Sequence, residues 1–207
     1  RELGVNFRIY NFPGDIKNDD LRKEAEKITL LKKVGGVIIQ LPLPAQINPQ
    51  YILNVIPREK DVDVLGERAL GAFYAGRNPV LPPSAGVVEE ILKSYTLNLK
   101  SSNVAVVGLG FLIGKPIATW LIGKSKEIHL LDQGSDFGIL KQADLVICGV
   151  GKAGLIKPEM LKENSVVIDF GYSMKQETSD KRQEIHGDFD VSLLTTQSSL
   201  LYTPTPG

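Results

Sequence analysis

The residues with the clearest chemical meaning in this sequence are the glycines of Gly108-Leu109-Gly110-Phe111-Leu112-Ile113-Gly114 and the carboxylate of Asp132. The glycines form G-x-G-x-x-x-G, one residue looser than the usual dinucleotide fingerprint. Glycines so placed let the chain turn tightly and let a pyrophosphate approach the amides of the helix that follows. Asp132 comes 24 residues after Gly108 (132 − 108), where a carboxylate can accept hydrogen bonds from ribose hydroxyls. A carboxylate there repels a 2′-phosphate, and no arginine lies between Gly108 and Asp136 to hold one. The residues alone therefore favour NAD over NADP. Two plainer readings stand beside this one: a glycine turn without a ligand, and Asp132 as a turn cap.

Other reactive residue types are sparse. His129 and His186 each lack a second histidine or a cysteine at ligand spacing, so no metal is assigned. Cys148 is the single cysteine, which excludes an intrachain disulfide, suits a reducing compartment, and reads as a small core residue at a strand end. Lys plus Arg and Asp plus Glu both total 24, and this balance argues against nucleic acid or an anionic membrane as the partner. No apolar run approaches the ~20 residues that span a bilayer. The expected setting is the cytoplasm.

These residues need elements to position them. Val104–Val107 reads as a buried strand running into the glycine turn, and Pro116–Ile122 as a helix with proline in its first turn. Ile128–Leu131, Leu145–Cys148 and Val166–Asp169 read as further strands, which makes a doubly wound α/β pattern. In the first third, Val5–Tyr10 alternates as a strand and ends in the turn Asn11-Phe12-Pro13-Gly14. Asp19–Lys33 reads as an amphipathic helix carrying Leu21, Ala25, Ile28 and Leu31. Gly35–Ile39 reads as a buried strand delivering Gln40 at its carboxyl end, and the order argues for a parallel βαβ unit. Gly66–Ser84, rich in Gly, Pro and Ala, reads as an interdomain connection, with a helix over Ala85–Tyr95 after it. The expected domains are 1–84 and 85–207.

A set of blocks spread along the chain resembles one family. Gln40-Leu41-Pro42-Leu43-Pro44 followed by Lys60-Asp61-Val62-Asp63 looks like the paired signatures of bifunctional methylenetetrahydrofolate dehydrogenase/methenyltetrahydrofolate cyclohydrolases. Val106-Val107-Gly108 with Ile113-Gly114-Lys115-Pro116, and Gly149-Val150-Gly151-Lys152, resemble that family's nucleotide loops. Val167–Gly171, Gly187–Asp190 and Thr203–Gly207 match further blocks in order. The resemblance implies an α/β protein with an amino-terminal βαβ catalytic domain, a doubly wound Rossmann-like nucleotide-binding domain, and a cleft between them. It implies oxidation of 5,10-methylenetetrahydrofolate by a nicotinamide cofactor, usually NADP, then hydrolysis of the methenyl product to 10-formyltetrahydrofolate. It also implies a homodimer.

By position, Gln40 resembles the glutamine that orients the catalytic lysine; an amide both donates and accepts without titrating. Asp63 resembles the aspartate that grips the pterin's amino and ring nitrogens, while Asp61 reads as structural. Leu41, Pro42, Pro206 and Gly207 join the expected folate contacts, and Pro42 or Pro44 is a candidate for a cis peptide. The nucleotide set is Gly108, Leu109, Gly110, Gly114, Asp132, Gln133, Gly149, Gly151 and Tyr172.

Several residues depart from the family pattern. Its catalytic lysine sits in Tyr-x-x-x-Lys, whose place lies ahead of Arg1, and its last motif continues beyond Gly207, so the sequence reads as a fragment with an incomplete catalytic centre. Val64 stands where glycine usually follows Asp63, which is expected to add a side chain beside the pterin-binding carboxylate. Leu81-Pro82-Pro83-Ser84-Ala85-Gly86 replaces Pro-Cys-Thr-Pro-x-Gly. Gly-Arg-Ser has become Gly108-Leu109-Gly110, and a His-Ser pair aligns with Asp132-Gln133. The last two changes remove 2′-phosphate partners, again favouring NAD. The competing readings are a non-catalytic nucleotide-binding paralogue, motivated by Val64 and Leu109, and another two-domain dehydrogenase of shikimate or malic type.

Overall fold

The computed structural model describes residues 4–94, 97–176, 183–195 and 199–204. The chain divides into two compact units, Arg1–Pro83 and Ser84–Gly207.

The second unit is built on a parallel sheet of β1 (Asn103–Val107), β2 (Glu127–Leu131), β3 (Leu145–Cys148), β4 (Val166–Asp169) and β7 (Leu201–Tyr202), in the order β2-β1-β3-β4-β7. β5 (Ser173–Gln176) and β6 (Gln183–His186) form a separate antiparallel pair. β1 and β3 are unbroken apolar runs because both sheet faces are covered, as in parallel sheets generally. Ala105, Val107, Val146, Cys148 and Val167 pack on one side with Leu140, Ile156 and Phe189. The helix α4 (Pro83–Lys93) precedes β1, and α5 (Gly114–Leu121) crosses from β1 to β2, burying Ile117, Trp120 and Leu121. The chain leaves β1 to one side for β2 and returns on the other for β3. The winding therefore reverses between β1 and β3, the place where open α/β sheets present a crevice at their carboxyl ends.

The first unit holds α1 (Asn18–Thr29), α2 (Pro49–Leu53) and α3 (Glu67–Tyr74). Its core joins Leu21 and Ala25 of α1 to Ile47 and Ile52. Asp19 and Asp20 in the first turn of α1 and Lys27 in its last complement the helix dipole. The α/β class holds, but four element expectations need correction. Val5–Tyr10 is exposed and carries no regular structure, because no described segment lies alongside to complete a ladder. Gly35–Ile39 makes a single parallel bridge, Val37 to Asp61, and Ile38 is 55% exposed. The bridge cannot extend because the chain after Asp61 turns back around its own carboxylate. α1 stops at Thr29 instead of Lys33, where the Lys60 ammonium donates to the carbonyls of Thr29 (2.6 Å) and Leu31 (3.1 Å). The Gly66–Ser84 stretch is not a bare connection: it contains α3, whose first N–H groups include Glu67 donating to Asn54 Oδ1 at 2.9 Å. Ala69 is the one buried residue of α3, so its period is nearly silent in the sequence.

Candidate active site

The glycine turn sits at the end of β1, and its geometry explains its composition. Gly108 has φ +87°, a conformation glycine adopts without penalty. A Cβ on Gly114 would stand 1.8 Å from the carbonyl oxygen of Gly108, so the first turn of α5 closes directly on the loop's own backbone. Gly110 differs: a Cβ there meets nothing within 4 Å. Pro116 lies in the first turn of α5, where a missing N–H costs no helical bond. Ser84, in the first turn of α4, donates to the carbonyl of Leu112 at 2.9 Å and ties the turn down.

The turn meets the loop after β3. A Cβ on Gly108 would come within 2.8 Å of Val150 Cγ2 and 3.0 Å of the Gly149 carbonyl, and one on Gly149 within 2.6 Å of Ile113. Gly108, Gly114, Gly149 and Gly151 are thus brought together at the winding reversal. Tyr172 is exposed beside them, its carbonyl 3.6 Å from a Cβ built on Gly151, while Ser173 Oγ donates to the Gly151 carbonyl at 2.9 Å. The N–H of Gly108 donates to Leu131 O at 2.8 Å, which keeps the turn next to Asp132. Asp132 is exposed, and its Oδ1 accepts the N–H of Gln133 at 2.9 Å. It therefore caps the turn with one oxygen and leaves the other without a partner among the described residues. Leu109 and Gly110 line the open side of the turn and offer no cation there.

Sequence reasoning left the support of the second loop without a role. Asp188 is fully buried, and its two oxygens accept the N–H groups of Val150 (2.5 Å) and Lys152 (2.7 Å). Burial pushes its proton affinity up against the effect of those amides. Asp169 also holds backbone one step away, accepting the N–H groups of Gly171 (2.7 Å) and Phe189 (2.9 Å). The Cys148 thiol donates to Asp169 Oδ1 at 3.3 Å, and burial pushes its pKa well up. The ligating atoms of Cys148, Asp169 and Asp188 lie within 4.8 Å of one another. Every carboxylate oxygen in the group already accepts an N–H, so the arrangement is a pin for two loops. Asp188 and its neighbour Phe189 are both buried, so no simple alternation in the sequence marks which of the two acids turns inward.

In the first unit, the Lys60–Asp63 block lies against Gly36 and Val37. Val37 N–H donates to Lys60 O at 2.8 Å, and a Cβ on Gly36 would meet Val62 at 2.6 Å. Asp61 is buried and accepts from the N–H groups of Leu65 and Gly66. Asp63 is half-buried and hydrogen-bonds no described residue; burial, then the charge of Asp61, raises its pKa from the ordinary aspartate value. Gln40 is exposed and donates to its neighbour's carbonyl, Leu41 O, at 2.9 Å. Leu41 and Pro42 follow it through a cis peptide. Gln40 and Asp63 share this unit without hydrogen-bonding each other. Val64 needs correction. Its side chain is fully buried rather than standing in solvent, and its φ of +57° is the conformation glycine would hold. Pro206 and Gly207 lie outside the described residues.

Comparison with known proteins agrees with this geometry. The family model for the NAD(P)-binding domain of tetrahydrofolate dehydrogenase/cyclohydrolase matches residues 82–207, and that for its catalytic domain matches residues 1–63. The chain belongs to the tetrahydrofolate dehydrogenase/cyclohydrolase family. The bifunctional protein FolD of Lactobacillus delbrueckii subsp. bulgaricus is 32% identical over 210 residues, covering all of this chain and 71% of that protein. The crystal structure of the FolD dehydrogenase/cyclohydrolase of Campylobacter jejuni has TM-score 0.83 at 28% identity, over 94% of this chain and 68% of that one. The Trypanosoma brucei dehydrogenase-cyclohydrolase, solved with NADP and an inhibitor, has TM-score 0.85 at 26% identity and the same coverage. Among the described residues, no helix of this family member is long and apolar enough to cross a membrane.

Proposed function

We propose that this family member oxidises 5,10-methylenetetrahydrofolate to the methenyl cation with a nicotinamide nucleotide and hydrolyses that cation to 10-formyltetrahydrofolate. The observation that carries this reading is the junction of the Gly108–Gly114 turn with the Gly149–Lys152 loop at the winding reversal, in a chain whose first 63 residues match the family's catalytic domain. The turn fits a dinucleotide: Gly114 lets α5 begin against the backbone of Gly108, and Gly110, where a Cβ meets nothing within 4 Å, leaves the approach to the turn open. Gly108, Gly110, Gly114, Gly149 and Gly151 would hold its phosphates, with Leu109 and Tyr172 as apolar walls. The bound nucleotide supplies the hydride acceptor. Asp63 accepts hydrogen bonds from the pterin's amino and ring nitrogens, and neither of its oxygens has a hydrogen-bond partner among the described residues. Gln40 holds the lysine or water that handles protons during hydrolysis, its amide needing only to release Leu41 O. Leu41 and Pro42, with Pro206 and Gly207, complete the folate contacts.

Between the two nucleotides we propose NAD. The free oxygen of Asp132 suits a ribose hydroxyl and opposes a 2′-phosphate, and neither Leu109, Gly110 nor Gln133 supplies a compensating positive charge. The resemblance further supports a cytoplasmic homodimer, which light scattering on purified protein would check. The function is tested by incubating the protein with 5,10-methylenetetrahydrofolate and each nucleotide. Reduced nucleotide and 10-formyltetrahydrofolate are expected; reduction of neither nucleotide rejects the assignment.

A further inference from the structure

Asp63 makes no hydrogen bond to any described residue, so nothing but its backbone aims it. The loop that carries it is closed by Asp61. One Asp61 oxygen accepts the N–H of Leu65 at 3.2 Å; the other accepts that of Leu65 at 3.1 Å and that of Gly66 at 2.8 Å. Asp61 is 2% exposed and is itself fixed by the parallel bridge to Val37. A Cβ on Gly66 would stand 3.1 Å from Asp61 Oδ2 and 3.3 Å from Leu53 O, so a side chain there would press on the Asp61 carboxylate. The closure also holds Val64, a buried β-branched residue, at φ +57°, a region such side chains avoid. A loop that keeps a valine in this conformation is over-determined by its other contacts.

We infer that Asp61 is a positioning residue for substrate: its buried carboxylate closes the Asp61–Gly66 loop and thereby fixes the direction in which Asp63 meets the pterin. The inference rests on the pterin-binding role proposed for Asp63. Asp61 also acts on Asp63 through its charge, which, after burial, is what favours the protonated form of Asp63. The other ionic groups of the block are engaged elsewhere: the Lys60 ammonium at the Thr29 and Leu31 carbonyls, and Arg58 with Glu59 at 3.5 Å. Asp61→Asn alters aim and charge together, and Gly66→Ala alters the aim alone. Asp61→Asn keeps one acceptor oxygen but loses the second and the charge.

The test is titration of tetrahydrofolate into the whole chain across the acid range, for wild type, Asp61→Asn and Asp63→Asn, with nucleotide affinity measured beside it. For Asp61→Asn we expect roughly tenfold or greater weakening at neutral pH, the loss of one charge-assisted bond. The midpoint of its acid loss of binding should move to lower pH, and nucleotide affinity should stay unchanged. A merely structural Asp61 would lower the melting temperature yet leave the affinity and pH midpoint of the folded protein at wild-type values, and that result overturns the inference. If Asp61→Asn does not fold, Gly66→Ala presses on the Asp61 carboxylate while keeping its charge. Several-fold weaker binding with an unmoved pH midpoint is then expected, and wild-type affinity overturns the inference. If Asp63→Asn binds as tightly as wild type, the pterin role of Asp63 fails, and this inference with it. Loss in Asp63→Asn without change in Asp61→Asn sinks the positioning role alone.

Discussion

At Asp132 a single carboxylate does two jobs, holding Gln133 N–H with one oxygen and facing outward with the other. Serine there would keep a turn-capping oxygen and remove the charge that opposes a 2′-phosphate. Asp132→Ser should shift the ratio of NAD to NADP affinity about tenfold or more toward NADP, read by titrating both nucleotides. If wild type binds NADP more tightly than NAD, the role given to Asp132 is wrong. Asp63 carries a pH signature of its own. In the proposed role the pterin meets its ionised form, so folate binding should be full above its pKa and lost as pH falls through it. Because burial and Asp61 raise that pKa, the loss should begin at higher pH than for an ordinary carboxylate. The sign for folding is opposite. Ionising Asp63 is harder in the folded state, so its contribution to stability is present at low pH and is lost as pH rises through the carboxylate range. Val64 shows what the sequence could and could not say at this scale. A missing glycine was visible, but a missing glycine means either a bulky site or a strained backbone, and only coordinates show that the side chain is buried and φ is positive. Val64→Gly trades burial worth about 1.5–3 kcal/mol for relief of strain of about 1–3 kcal/mol. It should cost clearly less, by urea midpoint, than Val106→Gly in β1, where burial is lost and no strain is relieved.

Elements decide which glycines matter. Gly108, Gly110 and Gly114 look equivalent in the sequence, and the motif reads all three as nucleotide glycines. The structure separates them by what a Cβ would strike: nothing at Gly110, the Gly108 backbone at Gly114. Gly114→Ala must therefore move the start of α5 and should lower both stability and nucleotide binding, whereas Gly110→Ala should leave the folded protein as stable as wild type and weaken nucleotide binding alone, read by urea unfolding and nucleotide titration. The second loop depends on Asp188 in a comparable way. Asp188→Asn leaves one of two buried N–H groups facing an amide N–H₂, and should destabilise the second unit by about 1–3 kcal/mol, measured by thermal or urea unfolding. The strands of this unit were legible because β1, β3 and β4 are apolar runs bounded by glycine and polar turns. Those of the first unit were not. Alternation at Val5–Tyr10 and an apolar run at Gly35–Ile39 are local signals, and a strand exists only when a neighbour completes its hydrogen bonds.

For the molecule as a whole, the pattern of motifs along the chain carried more than any one of them. The glycine turn alone names a fold; the blocks at Gln40 and Asp63 name the chemistry, and both family models agree with their order. The sequence reads Asp61 as structural without showing which N–H groups it holds, and it assigns Asp188 no role under the Gly149–Lys152 loop. Both are buried acids whose value lies in the backbone N–H groups they satisfy, and no spacing rule announces such partners. The central claim is that a hydride leaves the folate's one-carbon bridge for a nucleotide held at Gly108 and Gly149. It is tested most directly by supplying 5,10-methylenetetrahydrofolate with deuterium on that bridge and recovering the nucleotide. The expected result is one deuterium in the reduced nicotinamide, formed in lower yield when Gly114→Ala is used. Nucleotide that binds but carries no deuterium would contradict the claim.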